Sequence, residues 1–259
     1  MRLAITREVS AAIGRCQLTH LARQPIDVGR ARAQHGEYER CLERLGCTVR
    51  RLPEAPDLPD SVFVEDCAVV LDECAIIARP GAPPRRAETG AIEDVLGPFR
   101  TLARIEAPAT LDGGDVLRTG RTLFVGSSSR TSGEAIEQLR RLAGPFGYAV
   151  VAVEVRGCLH LKTAVTEVAP GMLLVNRAWI PEGPFDAFHC IDVDPGEPFA
   201  ANALRIGADL VYPASFPQTR GRLESRGIRT HVVDLSELAK AEGAVTCCSL
   251  IVDPPIATG

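Results

Sequence analysis

The chain contains no apolar run approaching the roughly 18 residues that a membrane span requires. Its opening segment, MRLAITREVS, has no apolar stretch of signal-peptide length between Arg2 and Arg7, so it reads as a strand and not as a leader. There is no C-x-x-C. The nine cysteines (Cys16, Cys41, Cys47, Cys67, Cys74, Cys158, Cys190, Cys247 and Cys248) are odd in number. A disulfide framework and a structural zinc site are therefore not expected, and a reducing cytoplasm is the expected location. A basic excess is also missing: 29 Lys and Arg stand against 33 Asp and Glu, a net charge of −4. That balance argues against a nucleic-acid or acidic-membrane partner. No G-x-x-x-x-G-K-[ST] and no strand-bound G-x-G-x-x-G occurs, so no nucleotide or other organic cofactor is expected, and no metal.

No linker or low-complexity segment divides the 259 residues, and a chain of this length buries a full core without staples. What the sequence does hold is a weak internal rhythm. Residues 63–79 (FVEDCAVVLDECAIIAR), 111–127 (LDGGDVLRTGRTLFVGS), 159–176 (LHLKTAVTEVAPGMLLVN) and 200–214 (AANALRIGADLVYPA) each read as two apolar runs around a turn, the pattern of a β-hairpin. Residues 244–252 (AVTCCSLIV) give one more run without a partner downstream. Helical patterns follow several hairpins. In TSGEAIEQLRRLAG, for example, Ala135, Ile136, Leu139, Leu142 and Ala143 form one stripe, with Thr131 or Ser132 as cap and Gly144 as stop. A strand then follows each helix. The repeat is strand–strand–helix–strand in about five copies, and RLAIT at the N-terminus supplies the strand that the last copy lacks. These features predict an α/β fold, a ring of five ββαβ units closed by pairing of the two terminal strands, forming one domain over residues 1–259. A doubly wound parallel sheet accounts for the alternation of helix and strand but not for the hairpin that opens each unit.

One polar residue recurs near the start of each hairpin: Asp66, Asp112, His160, Asn202 and Cys247. The intervals are 46, 48, 42 and 45 residues. In a ring of similar units, equivalent positions meet at the axis, so two acids, a histidine, an amide and a cysteine should converge there. Cysteine thiolate is the most nucleophilic side chain available near neutral pH, and an acid–histidine pair beside it is the arrangement of covalent catalysis with proton transfer.

VFVEDCAVV, RPGAPPRR, LDGGDVL, FVG-x-S-x-RT, LHLK and TCCS occur in this order over about Leu18–Leu250. In this the chain resembles the dimethylarginine dimethylaminohydrolases, members of the guanidino-group-modifying (pentein) superfamily of five-bladed α/β propellers. The resemblance implies hydrolysis of Nω-methylated arginine to citrulline and a methylamine, with a small-molecule substrate as partner, no cofactor, and the oligomeric state left open. By resemblance Cys247 is the nucleophile, His160 the acid and base, and Asp112 its orienting carboxylate. Asp66, with Glu65 beside it, holds the guanidinium. Arg85 and Arg130 take the substrate carboxylate, Asp60 the α-amino group, and Phe63 lines the pocket beside the methylated nitrogen. Leu18 belongs to a mobile lid.

Several rivals stay open on the residues alone. Cys248 faces away from Cys247 if both lie on a strand. Asp115 competes with Asp112, and Arg86 with Arg85. His20 lies near the expected lid, and Asn202 reads as a structural amide. An arginine deiminase or an amidinotransferase would use the same residues on longer chains. A non-catalytic propeller would have no need of them.

Overall fold

The computed structural model describes residues 2–254, so the last five residues of the expected 1–259 domain, and Met1, lie outside the described residues. Five small sheets of three strands each follow one another along the chain. β1 (Arg2–Arg7) and β2 (Cys47–Leu52) belong to the first. The second is β3 (Ala68–Val70), β4 (Cys74–Ile77) and β5 (Thr101–Arg104). The third is β6 (Val116–Thr119), β7 (Thr122–Ser127) and β8 (Ala149–Glu154). The fourth is β9 (Val165–Ala169), β10 (Met172–Val175) and β11 (His189–Asp192). The fifth is β12 (Leu204–Ile206), β13 (Asp209–Pro213) and β14 (Arg229–Val233). In sheets two to five the first two strands form an antiparallel hairpin and the third adds parallel to the second.

The first sheet takes its third strand from the far end of the chain. β15 (Leu250–Val252) runs antiparallel to β1, setting Leu3 opposite Val252 and Ile5 opposite Leu250, while β2 lies parallel on the other side of β1. The two ends therefore share one sheet, the expected ring closure.

The parallel third strand needs a crossover, and a helix supplies it in four sheets. α1 (Val28–Arg44) leads into β2. Its Ala31, Tyr38, Cys41 and Leu42 form the buried stripe, the Asp27 carboxylate accepts from the Arg30 N–H at its start, and Gly46 at φ +84° ends it. α2 (Thr89–Leu96) and α3 (Gly133–Ala143) serve sheets two and three, and the Ser132 hydroxyl caps α3 at Ala135 N–H. A short α4 (Leu161–Ala164) precedes β9, α5 (Pro217–Glu224) serves sheet five, and α6 (Ser236–Ala239) follows it.

The fourth crossover departs from the repeat. Residues 176–188 form no helix. Aromatic side chains cover the gap instead: Phe185 and Phe188 pack on Phe124 of β7 with ring centroids 4.8 and 5.8 Å away. Apolar clusters fill the seams between sheets, as where Ile5 and Leu250 of the first meet Ala75 and Ile77 of the second. No helix among the described residues is long and apolar enough to cross a membrane.

Candidate active site

The axial residues do not sit on strands. Each lies in or beside a short turn that precedes the first strand of its unit. Asp66 is within the 3-10 turn Val64–Cys67, Asp112 immediately before the turn Gly113–Asp115, and His160 immediately before α4. Asn202 follows a turn ahead of β12, and Cys247 lies in the turn before β15. A turn leaves the ladder and lets a side chain point along the axis, which the strand alternation expected from the sequence cannot do.

These turns are locked to one another. The Glu65 N–H donates to the Cys247 carbonyl at 3.2 Å. The Asn202 amide donates to the Lys162 carbonyl and to Thr246 Oγ1, each at 3.0 Å, and accepts from Thr246 N–H at 3.1 Å. The buried Tyr38 hydroxyl reaches from α1 to the Val245 carbonyl at 2.8 Å and to Ser249 Oγ at 2.6 Å. The Cys247 turn is thus held by units one, two and five together.

At the axis His160 Nε2 lies 3.0 Å from Asp112 Oδ2, and its Nδ1 lies 3.8 Å from Asp66 Oδ1. Asp66 also accepts from Gly114 N–H at 3.0 Å and from Arg85 Nη1 at 2.5 Å. Asp112 accepts from Gly81 N–H at 2.8 Å. Gly114 is required here by space: a Cβ at that position would lie 2.6 Å from His160 Nδ1 and 2.8 Å from Asp66 Oδ1. Asp115, the rival of Asp112, points elsewhere. It accepts from Leu161 N–H at 2.9 Å, Ser128 Oγ at 2.6 Å and Thr131 Oγ1 at 2.7 Å, and so pins the turn carrying His160 to the one after β7.

A small polar cavity of about 10 Å³ is lined by Cys247, His160, Asp66, Asp60, Arg85, Arg130 and Phe63, together with Gln17, Leu159, Ala241 and Glu242. Seven of the ten residues expected at the site therefore share one wall. Asp112 stands behind His160. Glu65 is not among the lining residues. Both its oxygens are taken, by Lys162 Nζ at 2.5 Å and Thr246 Oγ1 at 2.6 Å. Leu18 is half-buried on the apolar cluster that includes Cys247 and does not line the cavity, whereas its neighbour Gln17 does, donating its N–H to the Asp60 carboxylate at 3.0 Å.

Arg85 differs most from the role expected of it. Its guanidinium is buried and committed to protein: Nη1 to Asp66, Nε and Nη2 to Glu88, and Nη2 to the Phe63 carbonyl at 3.1 Å. Little of its fork is left for a ligand. Arg130 is freer. Nη2 donates to Thr19 Oγ1 at 3.1 Å, and Nη1 lies 3.7 Å from Asp112. Arg86, the rival of Arg85, instead donates to the Pro80 carbonyl at 3.1 Å.

Cys248 is fully buried in the apolar cluster against α1, its thiol 3.5 Å from the Ala244 carbonyl, while Cys247 is half-buried at the cavity. The two face apart because of the turn, not because of strand alternation. Burial, then the charges of Glu65 and Asp66, push the Cys247 thiol up to about 12; Lys162 offsets part of this. Burial works against protonation of His160, but the charge of Asp66 and the hydrogen bond to Asp112 outweigh it and carry the imidazole up to about 9. Burial opposes ionisation of Asp66 too, yet His160, Arg85 and the Gly114 N–H hold it down to about 2. At neutral pH the unliganded site is therefore a thiol beside an imidazolium and a carboxylate. Asp66, Asp112 and His160 also present atoms within 4.8 Å of one another, close enough for a metal. Arg85 on Asp66 and Arg130 beside Asp112 already supply positive charge there, so the donor set suits proton handling better than a cation.

The sequence gives no sign of Glu242. Its backbone stands at φ +60°, and its carboxylate accepts three consecutive N–H groups of the 17–23 loop: Thr19 at 3.1 Å, His20 at 2.6 Å and Leu21 at 2.7 Å. Arg23 closes the same loop on itself, donating to the carbonyls of Gly14 at 2.5 Å and Cys16 at 2.7 Å. Lys162 lies in LHLK and Thr246 in TCCS, where nothing in the sequence marks their roles, and Glu88 lies outside every motif.

The family model described as N,N dimethylarginine dimethylhydrolase, eukaryotic, matches residues 7–183. An N(G),N(G)-dimethylarginine dimethylaminohydrolase of Streptomyces coelicolor is 38 % identical over 250 residues, 95 % of each chain. The enzyme of that name from Pseudomonas aeruginosa is 35 % identical over 226 residues, 86 % of this chain and 89 % of the relative. The solved structure of a cysteine-to-serine variant of the Pseudomonas protein, complexed with citrulline, superposes with a TM-score of 0.92 at 33 % identity, covering 96 % of this chain and 98 % of that one. The N-terminal domain of ArgZ, an arginine dihydrolase from cyanobacteria, has a TM-score of 0.86 at 19 % identity over 98 % of each chain, a likeness of fold.

Proposed function

This chain belongs to the dimethylarginine dimethylaminohydrolase family, and from that premise we propose that it hydrolyses Nω-methylated arginine to citrulline and methylamine or dimethylamine. The observation that carries the reading is that the Cys247 thiol, the His160 imidazole and the Asp66 carboxylate line one cavity, with Arg130 and Asp60 in the same lining. As a hydrolase of guanidino C–N bonds it faces a carbon that is electron-poor but shielded by resonance, on a group that is permanently cationic.

The two perturbed groups divide the work. Burial, and then the acids around it, hold the Cys247 thiol protonated, and a bound guanidinium brings compensating positive charge, so substrate binding itself favours the thiolate. The thiol proton leaves to solvent and the sulfur attacks the guanidino carbon. His160 enters this step already protonated and donates its proton to the departing amine as the C–N bond breaks, leaving an S-alkylthiouronium on Cys247. Neutral His160 then takes a proton from water, whose oxygen attacks the same carbon. The C–S bond breaks and citrulline is released. Asp112 orients the imidazole through Nε2, and Asp66 meets a guanidinium nitrogen.

For the amino-acid end, Arg130 takes the carboxylate and Asp60 the ammonium. Arg85 contributes by fixing Asp66 and by lining the cavity. Glu65 acts on the thiol from behind, through its charge. Phe63 walls the methylated nitrogen, and the loop bearing Leu18 covers the site. Residues 1–259 work as one catalytic unit, because the turns that build the site come from all five sheets. A reducing cytoplasm, which keeps nine thiols free, is the setting the chemistry favours.

Steady-state citrulline formation from asymmetric dimethylarginine, monomethylarginine and arginine, measured side by side, tests the reading. Both methylated substrates should be turned over faster than arginine. Faster turnover of arginine would make the protein a deiminase instead. In the same assay Cys247→Ser should be inactive and Cys248→Ser active.

A further inference from the structure

Cys247 stands in the wall of two cavities. One is the polar cavity just described. The other is larger, about 340 Å³, and mainly apolar, with Leu21, Leu159, Phe199, Phe216, Leu235 and Val245 in its walls. Two of the polar side chains in its lining are engaged elsewhere: the Asn202 amide with Lys162 and Thr246, and the Glu242 carboxylate with the loop N–H groups; His20, Thr163 and Ser215 add small polar patches to a wall that is otherwise apolar. An apolar space of this size and lining is the ordinary form of a small-molecule subsite.

We infer that this cavity receives the alkyl substituent of the reacting nitrogen, and that the protein accepts Nω-alkylarginines larger than methyl, with chains of about three carbons. The inference rests on the proposed hydrolysis and extends its substrate class. Three nitrogens surround the carbon that bonds to sulfur. The one on the amino-acid chain runs toward Arg130 and Asp60, and another faces Asp66. The leaving nitrogen must lie within reach of His160. Leu159, the residue before His160, lines both cavities together with Cys247, so the two spaces adjoin at the reacting sulfur and a group on that nitrogen is directed toward the apolar one. A methyl group occupies only the threshold. Phe199, 40 % exposed and resting on Trp179 with ring centroids 5.0 Å apart, forms part of the lining, and a volume of about 340 Å³ has room for a longer chain. The reaction stays balanced, since Nω-propylarginine and water give citrulline and propylamine through the same bond changes.

The test compares Nω-propyl-L-arginine with Nω-methyl-L-arginine on the intact protein. The two release primary alkylamines of similar basicity, so the chemical step is matched. Each methylene buried adds about fourfold, and two should raise kcat/KM about 15-fold. The inference is overturned by a propyl compound hydrolysed more than tenfold more slowly than the methyl compound. If neither gives citrulline, the functional reading fails; if only the methyl compound does, the cavity inference fails alone. Ala239→Trp supplies the second arm. Ala239 lines the cavity from an exposed position at the end of α6, so the larger ring fills the space without entering the core. The propyl-to-methyl ratio should fall at least tenfold, and an unchanged ratio would place the alkyl chain elsewhere.

Discussion

Replacing Glu242 should separate the covering loop from the fold beneath it. Its carboxylate is the shared acceptor for Thr19, His20 and Leu21 N–H. A hydrogen bond to a charged group contributes about 1.5–3 kcal/mol. Three donors sharing one partly exposed carboxylate do not add fully, so about 2 kcal/mol is a reasonable total for the latch. If the loop must be closed for substrate to be held, Glu242→Ala raises KM about 30-fold, since about 1.4 kcal/mol is a factor of ten. Glu242→Gln keeps an acceptor without charge and loses about half of that, roughly fivefold in KM. The backbone adds a second handle. At φ +60° a residue with a Cβ costs about 1 kcal/mol or more relative to glycine. Glu242→Gly should therefore be more stable to global unfolding than Glu242→Ala while sharing its high KM. The assays are KM for monomethylarginine, urea denaturation, and trypsin cleavage after Arg23, which should quicken in both variants. A wild-type KM and unchanged cleavage in Glu242→Ala would refute the latch.

Gly114→Ala should fold but lose at least 100-fold in kcat, because the new methyl displaces His160 and Asp66 from each other; circular dichroism and steady-state rates check this. His160 is raised from 6.5 to about 9 in the folded chain, so the stability it contributes is complete below pH 6.5 and is lost as pH rises through 9. The Tm gap between the protein and its His160→Gln variant should accordingly shrink between pH 6.5 and 9, and a gap constant with pH would contradict the charge arrangement. With its thiol pushed up to about 12, Cys247 should react slowly with iodoacetamide at pH 7, and the rate should still be climbing at pH 10. A plateau below pH 8 would show a thiolate stabilised without substrate.

The fold was legible because its evidence is repeated. Hairpin after hairpin carries the same pattern, and the intervals between Asp66, Asp112, His160, Asn202 and Cys247 follow from units of similar length. Features that occur once were not legible. The helix-free crossover at 176–188 depends on aromatic packing across sheets, which no local pattern announces. The axial turns are too short to show a period, so Cys247 and Cys248 read as strand residues although they lie in a turn. At the site, residue types and order were visible, but partners were not. Arg85 lies three residues from Glu88, a spacing the sequence displays, yet its bond to Asp66 depends on how one turn packs on the next. The Glu242 latch joins positions 223 residues apart and leaves no local trace.

Cys247 sits three residues before the strand that seals the ring, and that strand pairs with one at the opposite end of the described chain. The nucleophile is therefore placed by the strand pairing of longest sequence separation among the described residues, with a correspondingly large loop-closure cost. An intermediate with sheets two to five formed but the first unsealed would carry the acids and the histidine without the sulfur in position. Until the seal forms, the thiol also lacks the burial and the neighbouring acids that push it above its ordinary value. Refolding followed by citrulline production would thus report the final step of assembly, after spectroscopic signals from the individual sheets had already returned.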